Sequence, residues 1–417
     1  MRKATLKIPP SLCLKCRGGK LLCGLTYCPI AVNLMTKSAL KRTDRVRRIS
    51  GSSPPTVFVG RYGYPKINVY PSSPPKSGDT SIYETSSRWL DLPLEEFLSM
   101  RLSLLRGSMP VEVGRAADPD YLFQTIQLMA LSNKPVEVDI DLEKPLNVSE
   151  VLLDEHASPM GPSSPMKSLV ADVEGIPKEI ERVYYDTDFK AAPAMQDLYK
   201  RGIEVDKISR VLSIGALGEK KSRKIVPTRW SITAADKNIS DFIVDQIKDF
   251  PTIDKFLAFK REVPGNLFMA ILTPSNWIYE WGESWFPGST WNQWGSQAEV
   301  EIDHEGYNGR TTYPDIGGCY YSTRLAVAEH FRRIGRSGGA ITWREIYPSF
   351  NLPVGVWFVR ENMRRLFLQK PAEFDSIDEA LRYLEPNMKV PVRKWISGSY
   401  VYPTLRYNNL DRFFDLK

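Results

Sequence analysis

Hydrophobic and polar positions change their period several times along the chain, and each change predicts an element. Residues 136–145, VEVDIDLEKP, alternate apolar and acidic side chains with a period of two. That pattern predicts a strand with one buried face. The stretch TVFVGRYGYPKINVYP sets two short apolar runs around glycines, predicting two strands with a turn at Arg61–Pro65. Residues 253–272 predict a hairpin turning near Pro264-Gly265, and AEVEIDH predicts a strand ending near His304. VGVWFV, residues 354–359, reads as a further strand. Helical periodicity takes over elsewhere. LPLEEFLSMRLSLLRG follows Asp91 and stops at Gly107, and PDYLFQTIQLMAL follows Asp118, each with Asp at the cap and Pro in the first turn. Further helices are predicted around 194–201, 205–213, 322–334 and 360–369. One more starts at Asp236 or Asn238 and another at Ser376. Residues 71–80 and 154–168 are rich in Pro and Ser and read as loops.

Strands and helices follow one another without the regular alternation of a doubly wound sheet and without a repeat of fixed period, so the class is α+β. Residues 277–294 hold five of the ten tryptophans, with Trp277, Trp281 and Trp285 at helical spacing. Such rings either stack exposed bases or pack a core, and burial is the commoner fate of tryptophan. The chain has 417 residues, 42% hydrophobic and 25% charged, ordinary values for a globular protein with one large core or several. No apolar run is long enough to span a membrane, and the first residues lack the apolar core of a signal peptide. A cytoplasmic protein is expected, in which cysteines stay reduced.

Charge changes the picture at one place. Residues 1–50 hold 12 of the 56 Lys and Arg side chains and, in Asp44, one of the 49 acids, a net of +11. The rest of the chain is left at −4. An excess so local points to an anionic partner, nucleic acid above all.

The same segment holds four of the five cysteines, Cys13, Cys16, Cys23 and Cys28, spaced C-x2-C-x6-C-x4-C. Two short knuckles of this kind can place four thiolates around one tetrahedral Zn²⁺; the other reading is ordinary buried or disulfide cysteines. Four thiolates leave no open position, so such a zinc would be structural. Lys15, Arg17 and Lys20 lie between the ligands, where positive charge favours thiolates and can face a phosphate.

Walker A, G-x-S-x-G and H-E-x-x-H signatures are absent. The densest acidic run is Glu299, Glu301, Asp303, His304 and Glu305. On a strand its odd-numbered carboxylates share one face, which either holds Mg²⁺ or Mn²⁺ for phosphoryl transfer or is a plain exposed face. Arg61, Tyr62 and Tyr64 in GRYGYP, and Thr228, Arg229 and Trp230 in PTRWS, put arginine beside aromatic rings. That pairing suits gripping a phosphate and stacking a base, and equally a structural ion pair. At the C-terminus, Leu410, Phe413 and Phe414 form L-x-x-F-F. A single 3₁₀ turn gathers the three on one side, either to plug a partner's apolar pocket or to fold onto the chain's own core.

The cysteine segment with Cys28-Pro29-Ile30, the VGRYGYPK stretch at 59–66 and the L-x-x-F-F end together resemble the archaeal Nre family of DNA repair proteins along the whole chain. The resemblance implies a repair factor recruited through the sliding clamp, PCNA. Its C-terminal peptide has Tyr407, Leu410, Phe413 and Phe414 at the motif positions, with Tyr407 where the pattern has glutamine. It implies no particular reaction. The expected layout is a basic zinc-ribbon-like module over 1–50, a mixed α/β body of one or two parts over 51–404, and a flexible clamp-binding tail over 405–417. The alternative is a metal-dependent nuclease, phosphatase or nucleotide-processing hydrolase in the body. In either case DNA, not a membrane, is the expected partner, which would place the protein at the nucleoid.

Overall fold

The computed structural model of the protein describes residues 9–16, 20, 22, 23, 46–147, 151–350 and 353–407. Two compact units emerge. One, here the N-terminal unit, is built from Asn33–Ile239 and Val354–Phe358; the other, the C-terminal unit, from Ser240–Pro353, Val359–Lys417 and Met1–Val32. Among the described residues, each is organised on one mixed sheet of six strands. Among the described residues, no helix is long and apolar enough to cross a membrane.

The N-terminal unit contains β1 (Arg48–Ser53), β2 (Thr56–Val59), β3 (Lys66–Ser73), β4 (Leu105–Glu112), β5 (Val136–Leu142) and β6 (Ser163–Asp172), in the order β1-β5-β6-β4-β3-β2. β4 and β6 run parallel, and the other neighbours are antiparallel. The period-two stretch is β5: Val136, Val138, Ile140 and Leu142 are all buried while Glu137 and Asp141 are exposed. Burying each such side chain contributes about 1.5–3 kcal/mol, which fixes the face the strand presents. The predicted turn at Arg61–Pro65 joins β2 to β3.

Several boundaries fall elsewhere than the local pattern places them. The helix predicted to run to Gly107 ends at Leu102, and Gly107 lies inside β4. A Cβ at Gly107 would come within 2.7 Å of the Ile140 side chain of β5 and 3.2 Å of Met166 of the neighbouring β6, so this glycine makes room for both. The next helix, Tyr121–Leu131, is capped by Asp120, whose carboxylate accepts from the Phe123 amide at 2.9 Å; Asp118 lies two residues too early. Part of the loop predicted over 154–168 is the start of β6. The helices expected around 194–201 and 205–213 are Ala191–Lys200 and Val205–Ser213.

The C-terminal unit contains β7 (Phe256–Val263), β8 (Asn266–Thr273), β9 (Tyr279–Trp285), β10 (Glu299–Glu305), β11 (Gly339–Ile346) and β12 (Ala372–Phe374), in the order β10-β9-β11-β8-β7-β12. β7 and β8 form the predicted hairpin, and β9 and β11 are parallel. β8, β9 and β11 are buried at every position, as central strands covered on both faces must be. The tryptophans read at helical spacing lie on or just before β9, because a spacing of four repeats on one face of a strand as well as of a helix. Trp277, Trp281, Trp285 and Trp291 are buried, and Trp294 is exposed. A core of Met269, Ile271, Ile341 and Trp343 packs against Leu381, Trp395 and Tyr402 from the last helices, with Trp343 and Trp395 stacked at 5.0 Å. Gly282 makes room for this stack: a Cβ there would lie 2.9 Å from Trp395 and 3.0 Å from Trp343.

Two predicted starts also shift. The helix expected from Asp236 or Asn238 begins at Thr228 and runs unbroken to Ile247. Asp236 is fully buried inside it instead of capping it. VGVWFV is not a strand: a helix begins within it, at Trp357. The helix Ile377–Leu384 does start from Ser376, whose hydroxyl accepts from the Glu379 amide.

Candidate nucleic-acid interface

The two arginine–aromatic segments, 164 residues apart from Tyr64 to Thr228, meet in the N-terminal unit. Their meeting is fixed by backbone. The Val59 amide donates to Thr228 Oγ1 at 2.8 Å, the Val113 amide to the Pro65 carbonyl at 3.0 Å, and the Ile225 amide to the Val113 carbonyl at 2.8 Å. The loop after β2, the turn after β4 and the entry to helix Thr228–Ile247 are thereby tied together. On this platform Tyr64 and Trp230 pack ring to ring, with centroids 5.7 Å apart and planes tilted by 53°. Both keep about half their surface in solvent, at 50% and 47% exposed. Tyr62, 72% exposed, lies beneath the Arg61 guanidinium at 4.9 Å, and Lys66 is exposed alongside.

Arg229 points the other way. Its guanidinium donates to Asp154 at 3.2 Å and to Glu155, with only 14% of the side chain exposed. Asp154 also accepts from the His156 and Ala157 amides at 2.7 and 3.2 Å. Burial pushes the Asp154 carboxyl up, but Arg229, His156 and these amides outweigh it and hold the group at about 2. Arg229 therefore anchors the first turn of its helix while its neighbour Trp230 faces solvent.

The remaining site residues that the structure describes lie in the C-terminal unit. Cys13 and Cys16 stand three apart on the short helix Pro10–Cys16, which puts them on one side of it; Cys23 sits in a turn. Arg17 and Cys28 lie outside the described residues, as do Leu410, Phe413 and Phe414. Among the described residues, no three His, Cys, Asp or Glu side chains form a group that could hold a metal ion. Lys20 is exposed, and Lys15 reaches Glu301 of β10 at 3.9 Å. Two segments singled out separately, the cysteine helix and the acidic strand, are thus neighbours.

On β10, Asp303 accepts from Arg310 at 2.9 Å and from the Ile316 amide at 2.8 Å. Glu305 is buried and accepts from Trp277, Tyr320 and Arg324 at 2.8, 3.1 and 2.7 Å. Glu299 and Glu301 are partly exposed. His304, on the opposite face, stacks on Tyr400 at 3.9 Å. Its pKa is lowered by burial and by Arg310. Tyr407 ends the helix Val401–Tyr407.

Sequence reasoning missed a second polar centre in the N-terminal unit. A cleft of about 260 Å³ is lined in part by Glu84, Ser86, Ser132, Asp206, Lys207 and Arg210. Glu84 accepts from Thr56 at 2.6 Å, Arg101 at 2.9 Å and Arg210. Burial raises its carboxyl, and Arg210 and Arg101 pull it below the usual range. Lys207 is 7% exposed and donates to the carbonyls of Ala130, at 2.9 Å, and Ser132, which close the end of helix Tyr121–Leu131. Burial, then Arg210, drives its amine well below the usual lysine range. In the sequence these charges are spread over three separate segments, 81–84, 94–102 and 205–213, and no local pattern joins them.

The fold and this surface define a two-unit α+β protein that presents fixed, half-exposed rings beside basic side chains. The chain belongs to the archaeal Nre family: residues 22–292 match the family described as Archaeal Nre, N-terminal, and residues 305–413 match Archaeal Nre, C-terminal. The DNA repair protein NreB of Archaeoglobus fulgidus is 44% identical over 402 residues, covering 96% of this chain and 99% of the relative. The DNA repair protein NreA of the same organism is 36% identical, with 88% and 92% covered. That of Haloferax volcanii is 35% identical, with 80% and 81% covered. No solved structure matches the chain.

Proposed function

We propose that this chain is a DNA repair factor that binds nucleic acid and is brought to its site by the sliding clamp, PCNA. The observation that carries the nucleic-acid reading is the meeting of Tyr64 and Trp230 on a backbone-tied platform with Arg61 and Lys66 beside them. Rings supply stacking faces and the cations supply phosphate contacts. The +11 segment adds electrostatic attraction that does not depend on sequence. The names of the relatives, DNA repair proteins, agree with this role. Cys13, Cys16, Cys23 and Cys28 would hold one structural Zn²⁺, which stabilises the basic segment and does no chemistry.

Recruitment rests on Leu410, Phe413 and Phe414, three apolar side chains in a pattern that plugs a pocket, placed just after the helix Val401–Tyr407. Tyr407 in place of glutamine removes one polar contact and leaves the apolar plug. Calorimetric titration of the clamp tests this: replacing Phe413 and Phe414 by alanine abolishes the binding heat of the full chain. Affinity unchanged in that variant overturns the recruitment reading. The hydrolase alternative has weaker support, because Asp303 and Glu305 already neutralise Arg310 and Arg324.

A further inference from the structure

We propose that the Tyr62, Tyr64 and Trp230 surface takes unpaired nucleotides, stacking a DNA base on its rings while Arg61 and Lys66 meet the flanking phosphates, and so prefers single-stranded to duplex DNA. The inference deepens the nucleic-acid reading above and rests on it. Single exposed aromatic side chains are common and carry no message. Here, Tyr64 and Trp230, drawn from two distant segments, touch at 50% and 47% exposure, and Tyr62, two residues before Tyr64 in the same turn, is 72% exposed. Tyr64 and Trp230 touch at a tilt of 53°, so neither ring covers the other's outer face. A duplex offers no partner for such faces, because its bases are stacked on one another and show only their edges in the grooves. An unpaired base offers a whole face, and stacking on an aromatic ring is tolerant of sequence.

The surface is also held ready. Thr228 is tied to Val59, Pro65 to Val113, and the inward Arg229 to Asp154 and Glu155. Little ordering remains for the ligand to drive. Charge favours a phosphate chain running past the rings. The Arg61 guanidinium lies over Tyr62, Lys66 and Lys224 are exposed, and Trp230 sits in the first turn of a 20-residue helix whose N-terminus carries partial positive charge. Arg229 engages Asp154 and Glu155, while Glu112, the register partner of Lys66 on β4, is exposed beside it.

The test titrates the full chain into labelled oligothymidine and into a labelled duplex of the same length, at one salt concentration, reading anisotropy. The wild-type chain binds the single strand more tightly. Trp230→Ala and Tyr64→Ala each weaken single-strand binding about tenfold and leave duplex binding within about twofold, as expected for loss of one stacking contact. Trp230→Phe, which keeps a ring, stays near wild type, and circular dichroism confirms that each variant is folded. Equal losses on both DNAs, or no loss on either, overturn this proposal and leave the wider reading standing. Failure of the wild-type chain to bind either DNA sinks both.

Discussion

Asp154 shows how much one carboxylate contributes when its neighbours are chosen for it. Burial alone would raise its pKa, yet Arg229, His156 and two amides hold it at about 2. A depressed carboxylate contributes stability above its unfolded pKa, near 3.8, and loses that contribution as pH falls through the folded value. The window is therefore pH 4 to 2, and the contribution about 2 kcal/mol. Urea unfolding across that window gives a shallower loss for Asp154→Asn than for the wild type, by about that amount. Parallel curves for the two proteins would rule out this role. The same residue positions Arg229, so the charge pair that stabilises the unit also sets the direction of Trp230.

At the scale of elements, Glu280 of β9 does for the last helix what Asp120 does for an earlier one. Its carboxylate accepts from Trp343 Nε1, the Ser399 hydroxyl and the Tyr400 and Val401 amides, at 2.7 to 3.1 Å. The last two are donors at the start of the helix Val401–Tyr407, which no residue within the helix can satisfy. Burial nevertheless raises its pKa. Removing this acceptor strands buried donors at about 1–3 kcal/mol each. Glu280→Ala thus speeds hydrogen exchange in residues 400–407 by at least about tenfold. Exchange in β5, which belongs to the other unit, stays unchanged. Uniform acceleration everywhere would instead mean global destabilisation and would refute a local anchoring role. In the sequence, the L-x-x-F-F motif follows the helix so anchored.

Across the whole molecule, charge and rings are separated along the chain. The basic excess lies before residue 51, whereas the stacking surface is assembled from residues 61–66 and 228–230. Each has its own measurable signature. Lys15→Gln, Arg17→Gln and Lys20→Gln together reduce the slope of log affinity against log salt by about two for a single strand, since each phosphate contact contributes about 0.7. Their effect on the preference for single strands is small, because the lost contacts are to backbone phosphates. An unchanged slope would remove these three residues from the interface. The last residues of the basic segment join the N-terminal sheet: β1 starts at Arg48, and the Val46 and Arg47 carbonyls accept bonds from the Leu146 and Leu142 amides.

What the sequence determined by itself was whatever depends on near neighbours. The period of two in β5, the hairpins at Arg61–Pro65 and Pro264-Gly265 and the Ser376 cap are local patterns with local causes, and they were legible. So was the kinship carried by the cysteine segment, VGRYGYPK and the C-terminal motif, which the family matches bear out. Tertiary structure decided the rest. Gly107 reads as a helix stop until Met166 of the adjacent β6 and Ile140 of β5 are seen to fill its place, and the tryptophans of β9 fit a helix because four is even as well as close to 3.6. Glu84, Lys207 and Arg210 are paired by residues distant in the sequence, which also bury Lys207. The platform under Tyr64 and Trp230 was suspected only as two similar segments. Its existence depends on hydrogen bonds that span 169 residues from Val59 to Thr228, and no local pattern encodes a contact of that range.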